Sequence, residues 1–174
     1  MKKLTINMVL IVCSVALYAQ HTAADKLFDK YSGMDGFTTV YVSKYMFNLF
    51  AQIESNDEDF KDFEEVVSKL NSIKILASDG TREPSGIDFY NEIMDNLPVQ
   101  QYQELMRVKE KDQDMKFMIH EEEGQIKELL LIVGGKKENV LISIQGNIDL
   151  ETISKLSKTM NIEGMENLEK INEE

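Results

Sequence analysis

His21 and His120 are the only imidazoles in a chain of 174 residues, and Cys13 is the only thiol. A transition-metal site needs several such ligands around one point. His120-Glu121-Glu122-Glu123 begins like the zinc helix motif, but no second histidine follows four residues on. Gly124 comes next instead, so the stretch reads as the solvated end of a strand and its hairpin. Asn56-Asp57-Glu58-Asp59 and Asp112-Gln113-Asp114 are acidic enough for calcium. Neither has the alternating ligands, central glycine and distant glutamate of an EF-hand loop, and a helix cap and a charged turn account for them. Gly134-Gly135-Lys136 has the composition of a phosphate loop without its spacing, and it leads into a strand where a P-loop leads into a helix. There is no Gly-x-Ser-x-Gly elbow for a nucleophilic serine. The 31 acids offer many carboxylate pairs, and spacing singles out none. The sequence therefore assigns no catalytic, cofactor-binding or metal-binding residue. Of the 10 methionines, Met46, Met94, Met115 and Met160 fall on expected core faces. Met118 points with Lys116 and His120 to a less covered face.

Composition narrows the classes further. With 43% hydrophobic residues the chain can bury one core, and its length suits a single domain. Only 2 Pro and 9 Gly exclude linker-dominated or collagenous architecture. Nineteen bases against 31 acids leave a net charge of −12. Binding to nucleic acid needs a basic footprint, so nucleic acid is excluded as a partner.

The N-terminus carries an address. Lys2 and Lys3 precede the apolar run from Met8 to Ala16, and Leu17-Tyr18-Ala19-Gln20 ends it. Positive charge, a short apolar region and small residues at the exit make a secretory signal peptide. The run is shorter than the roughly 20 residues that span a bilayer. Ala19 is the expected cleavage point. Ala16, with Ser14 two positions before it, is the second. Cys13 lies inside the apolar run and follows Val12, which speaks against a lipid anchor. Removing residues 1–19 takes away two lysines, no acids and the one cysteine, leaving a mature charge of −14 and no thiol. The mature protein is expected in the periplasm or outside the cell, with no transmembrane span.

The remaining elements follow from periodicity. Residues 20–36 read as a flexible leader with one helical turn. Thr38 to Ser43 is β-branched and aromatic and reads as a strand. Lys44 to Ile53 turns helical, and Phe60, Phe63, Val66, Val67 and Leu70 line one face of a second helix. Ile73 to Ala77 is a short strand, ended by a turn at Ser78-Asp79-Gly80-Thr81. Ser85 and Gly86 open a helix running to Leu97. Four strands follow at Tyr102–Lys109, Asp114–Glu121, Ile126–Val133 and Val140–Gln145, and their short connections make them antiparallel. Leu129 to Val133 is apolar on both faces, as a central strand would be. Asp149 caps a final helix with Leu150, Ile153, Leu156 and Met160 inside and Lys155 outside.

Val140-Leu-Ile-Ser-Ile-Gln-Gly-Asn-Ile-Asp-Leu-Glu-Thr-Ile-Ser-Lys-Leu-Ser157 resembles the closing segment of a family of exported bacterial proteins labelled domain of unknown function 4252. Phe37-Thr-Thr-Val-Tyr-Val-Ser-Lys44 and the Asn161 to Ile171 tail resemble it too, and the likeness runs from Phe28 to Ile171. The resemblance implies a small secreted or envelope-associated domain and brings no catalytic residues. The resemblance also implies an association with envelope sensing or stress, because members are often encoded beside regulatory genes for alternative sigma factors.

These readings give an α+β fold: an antiparallel sheet with a C-terminal four-strand meander and helices packed mainly on one face. Residues 1–19 form the signal peptide, 20–36 the leader, 37–171 the domain and 172–174 a charged tail. The expected function is that of an exported, non-enzymatic binding domain. Its partner is a protein or an envelope component met through a sheet face or an edge strand, and no cofactor is expected. The alternatives are a carrier or sensor of a small apolar ligand and a hydrolase with an unrecognised carboxylate pair.

Overall fold

Each run whose period reads as a strand forms one, and most extend beyond their apolar centres. A computed structural model describes residues 22–53, 58–79, 88–135, 138–149, 151–153 and 155. The signal peptide with Cys13, Ala16 and Ala19, His21, the Asn56-Asp57 cap, Ser85 and Gly86, Lys136, Leu150, Leu156, Met160 and the tail lie outside the described residues. In chain order the elements are α1 (Ala23–Tyr31), β1 (Phe37–Ser43), α2 (Lys44–Phe50), α3 (Glu58–Lys69), β2 (Leu70–Asp79) and α4 (Phe89–Asn96). They continue with β3 (Tyr102–Lys109), β4 (Gln113–Glu122), β5 (Gln125–Gly135) and β6 (Glu138–Ile148). All strand pairs are antiparallel, in the order β1-β2-β6-β5-β4-β3.

The meander β3-β4-β5-β6 is as the short connections predict. The turn between β4 and β5 is Glu123-Gly124, with φ of 53° and 76°. Two positive values in a two-residue loop are those of the hairpin turn whose twist matches its strands, and glycine meets the second without a Cβ clash. β6 runs on to Ile148, past Gln145, where its alternating apolar period ends.

The fold is α+β as expected, and two of its details differ from the sequence reading. The first is α1. Residues read as a flexible leader form a nine-residue helix started by a capping box: the Thr22 hydroxyl accepts from the Asp25 N–H, and the Asp25 carboxylate accepts from the Thr22 N–H. Ala24, Leu27 and Tyr31 are buried against Leu76, Phe89 and Ile93. The second is that helices pack on both faces of the sheet. Side chains alternate along each strand, so Phe117, Ile119, Leu129 and Ile144 meet Phe47 of α2, Val66 and Val67 of α3, and Ile153. On the other face Met118, Leu130, Ile132 and Leu141 meet α1 and α4. Met118 is therefore only 3% exposed, and Lys116 lies beneath α4 with its ammonium against Met94 Sδ and over the Tyr90 ring. β5 is covered on both faces, which its apolar run anticipated.

At one end the sheet is irregular. The β2–β6 register shifts between Leu70 and Ser72, and Gly146 stands opposite Leu70. A Cβ on Gly146 would lie 2.4 Å from the Lys69 carbonyl oxygen and 2.9 Å from Leu70 Cα. Both obstacles are backbone, so they cannot rotate away. Gly146→Ala is expected to cost about 1–3 kcal/mol as overpacking, read as a lower midpoint in a denaturant melt.

The chain then enters a final helix, in which residues 151–153 and 155 are described. Asp149 caps it: Oδ1 accepts from the Thr152 N–H at 2.7 Å and from the Thr152 hydroxyl at 2.6 Å, and Oδ2 accepts from Lys69 at 3.0 Å. Burial works against the charged carboxyl. The Thr152 hydroxyl and N–H, with the Lys69 ammonium, outweigh it and hold the group at about 2. A depressed carboxyl stabilises the fold in full above its ordinary value of 3.8 and loses that contribution as pH falls through about 2. Asp149→Ala is expected to cost about 0.5–2 kcal/mol near neutrality. In acid melts the gap between variant and parent should close below the ordinary carboxyl range. Half-exposure of Asp149 and solvent screening keep the charge part of this effect small.

Candidate functional site

The strand registers bring together a set of polar residues that are far apart in the chain. On the face covered by α1 and α4, Ser43 pairs with Ser72, Ser72 with Gln145, Gln145 with Glu128, Glu128 with His120, and His120 with Tyr102. One polar row thus crosses all six strands, beside the irregularities in β4, β5 and β6. Bulges of this kind re-aim side chains at a sheet's end.

Glu128 is the centre of the row and is only 1% exposed. Its carboxylate accepts from the Tyr102 hydroxyl at 2.6 Å, the Ser143 hydroxyl at 2.5 Å, the Thr22 hydroxyl at 3.2 Å and the Gln145 amide at 3.4 Å. Asp25 on α1 is the second buried carboxylate. It accepts from Lys74 at 2.5 Å, from the Gln145 amide at 3.0 Å and from the Thr22 N–H at 3.1 Å. Gln145 and Thr22 therefore join two acids that lie on a helix and on the central strand. Burial first, then the charge of Glu128 and its hydrogen bond, push the Tyr102 phenol far above its ordinary value. Tyr102 stays a donor across the physiological range.

Gln145, Glu128, His120 and Tyr102 of this row floor a groove of about 940 Å³ beside the first turn of α1, which Lys26, Lys30 and Lys127 also line. His120 rests against Tyr102 with ring centroids 5.4 Å apart, and its Nε2 lies 3.8 Å from a Glu122 carboxylate oxygen. It is partly covered, where the sequence reading had it solvated. Lys30 forms an ion pair with Glu92 that ties α1 to α4.

The other motifs weighed and set aside in the sequence are dispersed. Asp112 stands in the turn between β3 and β4, and Asp114 accepts from two guanidinium nitrogens of Arg107, Nη2 at 2.6 Å and Nε at 3.1 Å. That pairing outweighs burial and holds Asp114 below the usual carboxylate range. Gly134 and Gly135 end β5. Among the described residues no three His, Cys, Asp or Glu side chains gather as a metal would require, and no helix is long and apolar enough to cross a membrane.

A second feature lies at the sheet edge. Val40, Tyr41, Tyr45, Met46, Leu49, Phe50 and Ile53 are exposed, with Tyr45 at 72%. They belong to β1, an outermost strand of the sheet, and to α2 with its immediate C-terminal flank. Phe47 alone of α2 is buried, and Phe50 stacks edge-on against Phe63 of α3. Residues 37–53 contain one charge, Lys44, and no acid. The apolar period of α2, with Met46 in it, predicts a core face, and most of that face is open.

Sequence reasoning missed both features. Glu128 had one visible signal: it directly precedes Leu129–Val133, whose apolar run marks a strand covered on both sides. A carboxylate there must be buried and paired.

A family model for a domain of unknown function, DUF4252, matches residues 31–156. No curated protein matches the chain, and no solved structure does.

Proposed function

We propose that this chain, which belongs to the DUF4252 family, is an exported, non-enzymatic interaction domain of the bacterial envelope. It meets a protein partner through β1 and α2. The observation that carries this reading is the acid-free, aromatic surface at the β1 edge of a chain with a net charge of −12. Exposed apolar groups concentrated in one stretch of surface chain mark interaction surfaces, and Tyr, Phe and Met are the residues enriched there. The link to envelope sensing or stress rests on the family resemblance and belongs to this proposal.

The two alternatives have less support. A carrier of an apolar ligand would need an apolar cavity, and the groove is floored by Glu128, Gln145, His120 and Tyr102. A hydrolase would find its carboxylate pair in Asp25 and Glu128. A general acid or base must reach the substrate's proton. Both carboxylates are nearly inaccessible and already accept several hydrogen bonds within the protein.

A photo-crosslinking amino acid placed at Tyr45 in living cells tests the surface. A covalent adduct is expected at Tyr45 and not at Gln103, an exposed position on the opposite edge strand. No adduct at Tyr45 overturns the reading. Export is checked by intact mass: a chain beginning at Gln20, or after Ala16, is expected outside the cytoplasm. A cytoplasmic protein retaining Met1 would refute it.

A further inference from the structure

The two edges of the sheet differ in kind. β3 carries Glu104, Arg107 and Lys109, and its register shifts between Glu104 and Met106. Charges and a bulge are the means by which an edge strand avoids pairing with another chain. β1, Phe37-Thr-Thr-Val-Tyr-Val-Ser43, has no charge, no proline and no register shift against β2. Among the described residues its outer edge has no strand neighbour. One edge is guarded and the other is open.

We propose that β1 pairs antiparallel with β1 of a second copy of this chain, joining two six-stranded sheets edge to edge about a two-fold axis at Val40. This names the partner at the surface proposed above and rests on that reading.

Three observations select a second copy. Under a two-fold axis normal to the sheet, paired residues share a face, and centring the seven-residue strand on Val40 uses every position. Thr38 then faces Val42 of the second copy, Thr39 faces Tyr41, and Val40 faces itself, all pairs of β-branched or aromatic residues that stabilise a sheet. The charges at the strand's ends are complementary in this orientation. Exposed Asp35 precedes β1 and exposed Lys44 follows it, so antiparallel pairing brings Asp35 of each copy to the end where the other has Lys44. Parallel pairing would set like beside like. Finally, a chain of net charge −12 repels its own copy over most of its surface. Residues 37–53, which contain no acid, are where that repulsion is weakest. At each end of the isologous pairing, α2 of one copy, with exposed Tyr45, Met46 and Leu49, follows a strand end that lies beside the residues preceding β1 of the other.

Sedimentation equilibrium of the purified protein, in the processed form its cell yields, tests the pairing together with a charge exchange at Val40. The parent chain is expected to be a dimer. Val40→Lys sets two ammonium groups face to face and should weaken the dimer on the order of a hundredfold, and Val40→Glu should do the same with two carboxylates. An equal mixture of the two variants should restore a dimer containing one of each, because an ammonium then faces a carboxylate across the axis. Restoration also shows that both variants fold, and it is specific to this register. A parent that is monomeric at every soluble concentration overturns the dimer, as does a mixture that stays monomeric while each variant keeps its circular dichroism spectrum. The Tyr45 crosslink separates the two levels. An adduct of twice the chain's mass fits self-pairing, an adduct with a different protein keeps the interaction domain and refutes the dimer, and no adduct refutes both.

Discussion

Glu128→Ala is expected to cost about 3–5 kcal/mol, the range for removing one partner of a buried charged network. The side chain fills space at the centre of the sheet, and its carboxylate answers Tyr102, Ser143 and Thr22 at once. Truncation leaves these hydroxyls facing a cavity where the carboxylate was, and each unsatisfied buried donor is itself destabilising. Glu128→Gln keeps the shape but turns an amide N–H₂ toward donors, so about 1–3 kcal/mol is expected. The triple change Glu128→Leu, Tyr102→Phe and Ser143→Ala removes donors and acceptor together and should recover most of the loss. Denaturant melts with unchanged slopes would establish the order. If Glu128→Ala is as stable as the parent, water reaches the row and the network is not a structural one.

Ile153→Ala is expected to cost about 2–5 kcal/mol, as for a fully buried aliphatic residue whose neighbours relax only in part. Ile153 is 0% exposed and packs with Phe47, Val66, Val67 and Ile148. Lys155, two residues on, supplies the contrast. Its expected place is the outer face, and it is instead drawn toward α3, with its ammonium 3.0 Å from Glu65, 3.3 Å from Asp62 and 3.0 Å from Glu151. Glu65 above all, with Glu151, raises its pKa, so it stays charged at any physiological pH. Ion pairs to exposed carboxylates are worth little, so Lys155→Ala should change stability by no more than about 1 kcal/mol. Chemical denaturation of both variants separates the cases. Equal stability throughout would mean that the final helix does not contribute to the core.

The elements that were legible in the sequence are those whose signal is local. Val140, Ile142 and Ile144 alternate with Leu141, Ser143 and Gln145, and that period of two makes a strand whatever lies beside it. Short connections forced the meander to be antiparallel, and Asp149 marked its helix because a cap acts within three residues. α1 was not legible because Ala24, Leu27 and Tyr31 are diluted by Asp25, Lys26, Asp29 and Lys30. Only burial against α4 and β2 reveals that face as apolar.

What the sequence determined by itself is therefore the set of elements: which runs extend, which coil, and which strand is covered on both sides. Tertiary structure alone decided who stands next to whom. β2, separated from β6 by more than fifty residues, enters the sheet between β1 and β6. That insertion completes the row from Ser43 to Tyr102 and leaves β1 at an open edge. A residue's own period states which face it takes, and only strand order and register state what it meets there. So Glu128 reads in the sequence as one acid among 31 and in the fold as the centre of a buried network. Tyr41 reads as one strand residue among many until the sheet ends beside it.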